Sequence, residues 1–206
     1  MLTARIAILV SGGGTNLQAL IDTRARGGLK SGELSLVIAD KAGVKAIDRA
    51  NAAGIDCVVI PRREPEFEEK VLSALAAHNI DMVILAGFLG ILTADFVARC
   101  PGPIINIHPA LIPSFCGKGF YGLRVHQAAL DYGVKVTGAT VHYVNEVPDG
   151  GKIILQKAVD VLPGDTPETL QRRVMEQAEW VLLPQAAELV ARQLVRGADQ
   201  LPGRPF

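Results

Sequence analysis

From residue 5 to residue 107 the chain repeats one alternation, a short run of apolar residues followed by a longer stretch with helical spacing. The runs at 5–10, 34–39, 57–60, 82–86 and 104–107 are apolar at consecutive positions, so as strands they carry apolar side chains on both faces. Such strands need cover on both sides. The intervening stretches at 15–26, 44–53 and 66–78 have the period of helices that can supply it. The pattern predicts an α/β fold with a doubly wound, Rossmann-like, mainly parallel sheet.

The rhythm changes after the fifth run. Residues 109–122 (PALIPSFCGKGFYG) hold two prolines and three glycines and show neither period. So long an irregular segment in a compact domain is more often functional than idle, and its glycines make it a candidate lid. A short helix at 123–132 leads into 135–144, where Val136, Gly138, Thr140 and His142 share one face and Thr137, Ala139, Val141 and Tyr143 the other. After a turn at 145–151, residues 153–161 return, giving the sheet a C-terminal antiparallel strand extension. A long C-terminal helix opens at Asp165-Thr166-Pro167-Glu168, with Thr166 as its cap and Pro167 in its first turn. Leu170, Val174, Val181 and Leu182 are expected on its buried stripe. Pro184 is expected to kink or restart it, and the tail after Gly197 to be loosely held.

Composition excludes several classes. Apolar residues make up 49% of the chain, enough for a substantial core. Lysine plus arginine and aspartate plus glutamate number 21 each, so no overall charge draws the protein to nucleic acid or an anionic membrane. No apolar run approaches the roughly 20 residues that span a bilayer, and the opening residues read as a strand rather than a signal peptide. Cys57, Cys100 and Cys116 are odd in number and lack CxxC spacing, which argues against a disulfide framework or zinc site and fits a reducing cytoplasm.

Three places carry chemistry. Ser11-Gly12-Gly13-Gly14-Thr15-Asn16 joins the first strand to the first helix, where glycines permit a tight turn and free backbone N–H groups face an anion. The segment lacks a Lys-Ser/Thr ending, and Leu17 stands where a dinucleotide fingerprint has its third glycine, so a phosphate monoester suits it better than a pyrophosphate. Asn106 and His108 lie on the same side of the fifth strand at its carboxyl end, the rim that lines the ligand crevice in such a sheet. Pro109 holds His108 extended. Asp149-Gly150-Gly151 reads on its own as turn chemistry. His142 reads as a core imidazole, His126 as a surface or structural group, and Cys116 as an inert loop thiol.

These segments, in this order, resemble the phosphoribosylglycinamide formyltransferases, folate-dependent enzymes of purine synthesis. The resemblance rests on SGGGTNLQALI (11–21), LAGFLGIL (85–92), INIHPALIPSF (105–115) and GATVHYVNEVPDGGKIILQ (138–156). With Glu179-Trp180 and Pro184 in the last helix, it covers nearly the whole chain. It implies that Gly14, Thr15 and Asn16 hold the substrate phosphate and that Glu179 engages the nucleotide. Leu89, Gly90, Ile91 and Leu92 would line a folate slot with residues 144–149, and Asn106, His108 and Asp149 would be catalytic, Asn106 also touching the folate. The resemblance further implies 10-formyltetrahydrofolate as a co-substrate, with no resident cofactor, no metal, no nucleic acid and no membrane. It suggests a cytoplasmic monomer or homodimer, built as a single formyltransferase domain over 1–206. Residues 1–100 would form the phosphate-binding half, and 101–206 the catalytic and folate-binding half. Two positions depart from the family: Gly90 replaces a usual basic residue, and Glu64 falls where relatives place a folate-contacting arginine, leaving the adjacent Arg63 as the candidate.

On this reading an amine attacks the formyl carbon, and donors aimed at the developing oxyanion, Asn106 and a protonated His108, do most of the work. Asp149 is expected to raise the imidazole pKa and relay a proton. The nearest rivals are a formyltetrahydrofolate deformylase, which usually adds an N-terminal regulatory domain, and a methionyl-tRNA formyltransferase, which adds a C-terminal RNA-binding one. A strand already at residue 5 and no basic patch after the last helix favour the glycinamide enzyme. A rival of another class is a nucleotide-binding module without turnover, with Asp40 as its ribose contact.

Overall fold

The computed structural model describes residues 2–198, so the expectation for the tail falls largely outside the described residues. Strands β1 (Ala4–Val10), β2 (Gly32–Ala39), β3 (Asp56–Val59), β4 (Met82–Leu85) and β5 (Ile104–His108) alternate with helices. These helices are α1 (Thr15–Ala25), α2 (Lys45–Ala52), α3 (Phe67–Ala77) and α4 (Ala94–Arg99). Then follow α5 (Leu123–Tyr132), β6 (Val136–Tyr143), β7 (Ile153–Asp160), α6 (Pro167–Val174) and α7 (Trp180–Ala198). One sheet holds all seven strands in the order β3-β2-β1-β4-β5-β6-β7. Its first five strands pair in parallel; β6 and β7 add antiparallel, as the alternating pattern of 135–144 requires.

Both faces of the central strands are covered. Ile6, Ile8 and Val10 of β1 pack into one core with α1 and α7, while Ala7 and Leu9 enter the other with α3 and α4. That division explains why the strands read as unbroken apolar runs. The chain order reverses between β1 and β4, opening a crevice at the strands' carboxyl ends.

The C-terminal helix departs from its simple helical reading. Thr166 caps α6, its side chain accepting from the Thr169 amide at 3.3 Å, with Pro167 in the first turn. Between α6 and α7, Met175–Glu179 winds as a π-helical turn. That wider turn advances the stripe: Leu170, Val174 and Leu182 are buried as expected, but Val181 is turned outward and Leu183 takes the inner place. Pro184 lies within α7, one turn beyond this irregularity. The short α4 was not foreseen; Thr93 caps it, accepting from the Phe96 amide at 3.1 Å.

Candidate active site

The crevice at the sheet's switch point encloses about 560 Å³. The carboxyl ends of β4 and β5, the strip 87–92, the turn 144–149 and the loop 117–122 line it, together with Asn16, Gln171, Met175 and Glu179. A groove of similar size, about 620 Å³, runs around Trp180 and Arg192 but gathers no catalytic cluster.

Asn106 and His108 reach the crevice from β5 as their alternation requires, and Asp149 meets them from the turn after β6. His108 Nδ1 lies 3.5 Å from Asp149 Oδ2, and Asn106 Nδ2 lies 3.4 Å from Asp149 Oδ1. The register of β5 against β6 sets Asn106 opposite His142, whose Nε2 lies 3.2 Å from Asn106 Nδ2 and 3.6 Å from Asp149 Oδ1. His142 Nδ1 donates to the Tyr143 carbonyl at 2.8 Å, which leaves Nε2 facing the Asn106 amide and the Asp149 carboxylate. The residue that alternation presented as a core imidazole is therefore part of this cluster. Asp149 itself sits in the left-handed region, φ 57°, a conformation Asp tolerates better than most residues.

The 109–122 loop is tied to the cluster at two points. His108 Nε2–H donates to the Phe115 carbonyl at 2.8 Å, and the Gly117 amide donates to Asp149 Oδ2 at 2.8 Å. Thr140 fastens the loop's start, donating to the Ala110 carbonyl at 2.6 Å and accepting from the Ile112 amide at 3.1 Å. Cys116 Sγ lies against the Pro113 carbonyl, and burial pushes its thiol pKa up, consistent with an unreactive group.

Burial reverses one electrostatic expectation. His108 was expected to be raised by Asp149. Desolvation outweighs the pull of that carboxylate and of the Phe115 carbonyl, so the imidazole lies below its usual range and is neutral at pH 7 in the free protein. For Asp149, burial pushes upward, but His142, His108 and the Gly117 amide together hold the carboxyl below the ordinary value.

On the phosphate side, Asn16 Nδ2 donates to Glu179 Oε2 at 2.7 Å across 163 residues of sequence, and Asn16 Oδ1 is buried without a partner. Gly14 precedes the first turn of α1 at φ 70°; a Cβ there would meet the Ala46 Cβ at 2.8 Å, which is why glycine stands at this joint. Asn16 lines the crevice, whereas Gly14 and Thr15 lie just before it at the helix start. Leu89, Gly90, Ile91 and Leu92 all line it; Arg63 is exposed off its wall, and its neighbour Arg62 is the lining residue. Asp40 is buried, its Oδ2 accepting from Ser11 Oγ at 2.8 Å and its Oδ1 without a partner among the described residues. His126, read as surface or structural, is fully buried on α5.

Among the described residues no helix is long and apolar enough to cross a membrane, and no group of three or more His, Cys, Asp or Glu is arranged to hold a metal ion. The family model for formyl transferase matches residues 4–186. The trifunctional purine biosynthetic protein adenosine-3 of Homo sapiens is 45% identical over 94% of this chain, and the chain spans 19% of that protein's length. The chloroplastic phosphoribosylglycinamide formyltransferase of Arabidopsis thaliana is 38% identical over 84% of the chain and 61% of its own length. The crystal structure of phosphoribosylglycinamide formyltransferase from Brucella melitensis superposes with a TM-score of 0.83 at 41% identity, covering 92% of this chain and 96% of that one. The chain thus belongs to the formyl transferase family, on its phosphoribosylglycinamide formyltransferase branch.

Proposed function

We propose that the protein transfers the formyl group of 10-formyltetrahydrofolate to the amine of 5-phosphoribosylglycinamide, a step of purine biosynthesis. The observation that carries this reading is the meeting of Asn106, His108 and Asp149 on one wall of a crevice that also takes in Asn16 and Glu179. The nucleotide's phosphate is assigned to the start of α1 at Gly14, Thr15 and Asn16, a helix N-terminus that no side chain caps, and Glu179 to its ribosyl part. The strip of Leu89, Gly90, Ile91 and Leu92 and the 144–149 turn hold the folate, which enters and leaves as a co-substrate.

The substrate amine attacks the formyl carbon, and negative charge gathers on the formyl oxygen as the tetrahedral intermediate forms. Asn106 Nδ2–H and the His108 ring N–H are the donors within reach of that wall. His108 acts as a neutral donor, because burial holds its pKa down, and it carries no proton between substrates. Asp149, kept ionised, accepts the proton that the amine sheds and returns it to the departing folate nitrogen, directly or through water. Direct attack requires neither a metal nor a covalent enzyme intermediate. We assign the chain to the cytoplasm as a single formyltransferase unit, monomer or homodimer, in which 1–100 supplies the phosphate loop and the 89–92 folate strip and 101–206 the catalytic residues, the 144–149 turn and Glu179.

The test is to mix the purified protein with 5-phosphoribosylglycinamide and 10-formyltetrahydrofolate and follow both products. Tetrahydrofolate and the formylated nucleotide should appear in equal amounts. Release of formate with no nucleotide product would instead assign a deformylase.

A further inference from the structure

Helix α2 packs its first turns against the loop assigned to the nucleotide's phosphate. The approach is close: a Cβ on Gly14 would meet Ala46 Cα at 2.9 Å and Arg49 Cδ at 3.3 Å. Two hydrogen bonds cross the contact. The Ala46 amide donates to the Gly12 carbonyl at 3.3 Å, and Arg49 Nε–H donates to the Gly13 carbonyl at 2.9 Å. Two successive carbonyls of the loop are therefore turned toward α2. In a trans peptide the carbonyl and the N–H of one unit point in opposite directions, so the Gly13 and Gly14 N–H groups are turned away from α2. Neither N–H has a hydrogen-bond partner among the described residues. Successive free N–H groups on one side of a loop form a concavity suited to an anion.

Arg49 is itself braced. Its Nη1–H donates to Gln18 Oε1 at 2.7 Å, and Gln18 Nε2 donates to Asp22 Oδ1 at 2.8 Å. The Gln18 amide meanwhile donates to the Gly14 carbonyl at 2.9 Å as α1 begins. One side chain thus ties the loop to both of its neighbouring helices and sets a guanidinium behind it. Asn16, at the same helix start, lines the crevice with a buried Oδ1 that no described residue satisfies, an independent mark of a ligand at this end.

We propose that Arg49 is the positioning residue of the phosphate loop. Braced by Gln18, it holds the Gly13 carbonyl toward α2 and so presents the Gly14 N–H to the substrate's phosphate, without touching the phosphate itself. This rests on reading that loop as the phosphate site of the nucleotide substrate.

The experiment compares 5-phosphoribosylglycinamide with its dephosphorylated counterpart as acceptors, with 10-formyltetrahydrofolate as donor. The proteins are wild type, Arg49→Gln, Arg49→Lys, Gln18→Met and the double variant Arg49→Gln with Gln18→Met. Arg49→Gln should raise KM for the phosphorylated acceptor about tenfold, the scale of one charge-assisted bond, with kcat and the folate KM moving far less. Its kcat/KM for the dephosphorylated acceptor should stay near wild type, so the preference for phosphate falls by the same factor. Arg49→Lys keeps the charge without the rigid fork and should fall between. Gln18→Met should lose less than Arg49→Gln, and the double variant no more than Arg49→Gln alone, because the two residues act through one contact. Amide NMR gives a reading free of turnover. Without substrates, the Gly13 and Gly14 resonances should shift or broaden in Arg49→Gln, and added inorganic phosphate should move them in wild type more than in the variant.

The assignment fails if Arg49→Gln weakens both acceptors equally, as a merely structural role would, if it leaves the preference for phosphate intact, or if Gln18→Met adds its full effect to it. It also fails if the preference falls while the two glycine resonances of the free protein stay in place, for Arg49 would then be a direct phosphate ligand. If wild type formylates neither acceptor, the functional reading falls, and the phosphate titration alone decides whether Arg49 shapes an anion site.

Discussion

Asn106 has two amide hydrogens and, in the free protein, two acceptors waiting for them, His142 Nε2 at 3.2 Å and Asp149 Oδ1 at 3.4 Å. His108 is likewise occupied, its Nε2–H held by the Phe115 carbonyl at 2.8 Å. The donors the reaction needs are thus held in place by neighbouring acceptors before substrate arrives, so they need little reorganisation once the formyl oxygen displaces a partner. This arrangement ranks the side chains. Asn106→Ala and His108→Ala each remove an oxyanion donor and should lower kcat by roughly 10²–10³-fold, with nucleotide affinity much less affected. His142→Ala removes only the acceptor that aims the Asn106 amide, so its kcat should fall by about tenfold with the donor intact but misaligned. Steady-state kinetics at saturating substrates, on variants with wild-type circular dichroism, check the order. Equal losses at 142 and 106 would show that His142 acts on the substrate itself.

At the scale of elements, what the sequence reveals depends on whether the determining interaction is local. The strands of the parallel half were legible because their burial on both faces writes an apolar run into each. α4 was not, since its six residues are too few to show a period and only Thr93 marks its start. The π-helical turn leaves no side-chain pattern, so Val181 was placed inside when the wider turn rotates it out. His142 is the buried, bonded imidazole that its strand position suggests, but its place in the cluster comes from the β5–β6 register, a pairing 36 residues apart that alternation within one strand does not encode. α5 holds the sharpest case. Its helix was anticipated to the residue, but His126 in its first turns is fully buried, and neither ring nitrogen has a partner among the described residues. Burial, reinforced by the nearby His108, pushes its pKa from 6.5 to about 4. A histidine depressed on folding contributes stability that is present above its unfolded value and lost as pH falls toward the folded one. Between pH 6.5 and about 4 the protein should therefore lose about 2–3 kcal/mol through this residue. Urea midpoints at pH 7.5 and 4.5 measure it; in His126→Leu the acid loss should shrink by that amount, and an unchanged slope would place the proton elsewhere.

Across the whole molecule, the two ends of the chain meet at the crevice. Asn16, at the start of the first helix, and Glu179, at the end of the π-helical turn, share a 2.7 Å hydrogen bond in the interior, while Glu188 of α7 accepts from the Lys30 and Ser31 amides ahead of β2 at 2.8 and 2.9 Å. Glu188 sits on the surface side and costs little. Glu179 is different, for it is almost wholly buried, with one carboxyl oxygen bonded to a neutral amide and no cation paired with it among the described residues. Desolvation raises its pKa, against the smaller opposing pull of Asn16. For a carboxyl raised on folding, stability is fully present below the unfolded value of 4.5 and is lost as pH climbs through the folded pKa. The fold therefore keeps an acid at a place where, near neutral pH, it lowers stability. A hydrogen-bonding group that substrate hydroxyls can satisfy explains why such a residue is tolerated. Glu179→Gln preserves an acceptor for Asn16 and removes the titration. In the absence of ligand it should raise the urea midpoint at pH 8 relative to wild type and leave the midpoint at pH 4 nearly unchanged, while weakening binding of 5-phosphoribosylglycinamide. If the glutamine variant gained no stability at pH 8, the buried carboxyl would have to be compensated in the folded protein by a partner other than Asn16.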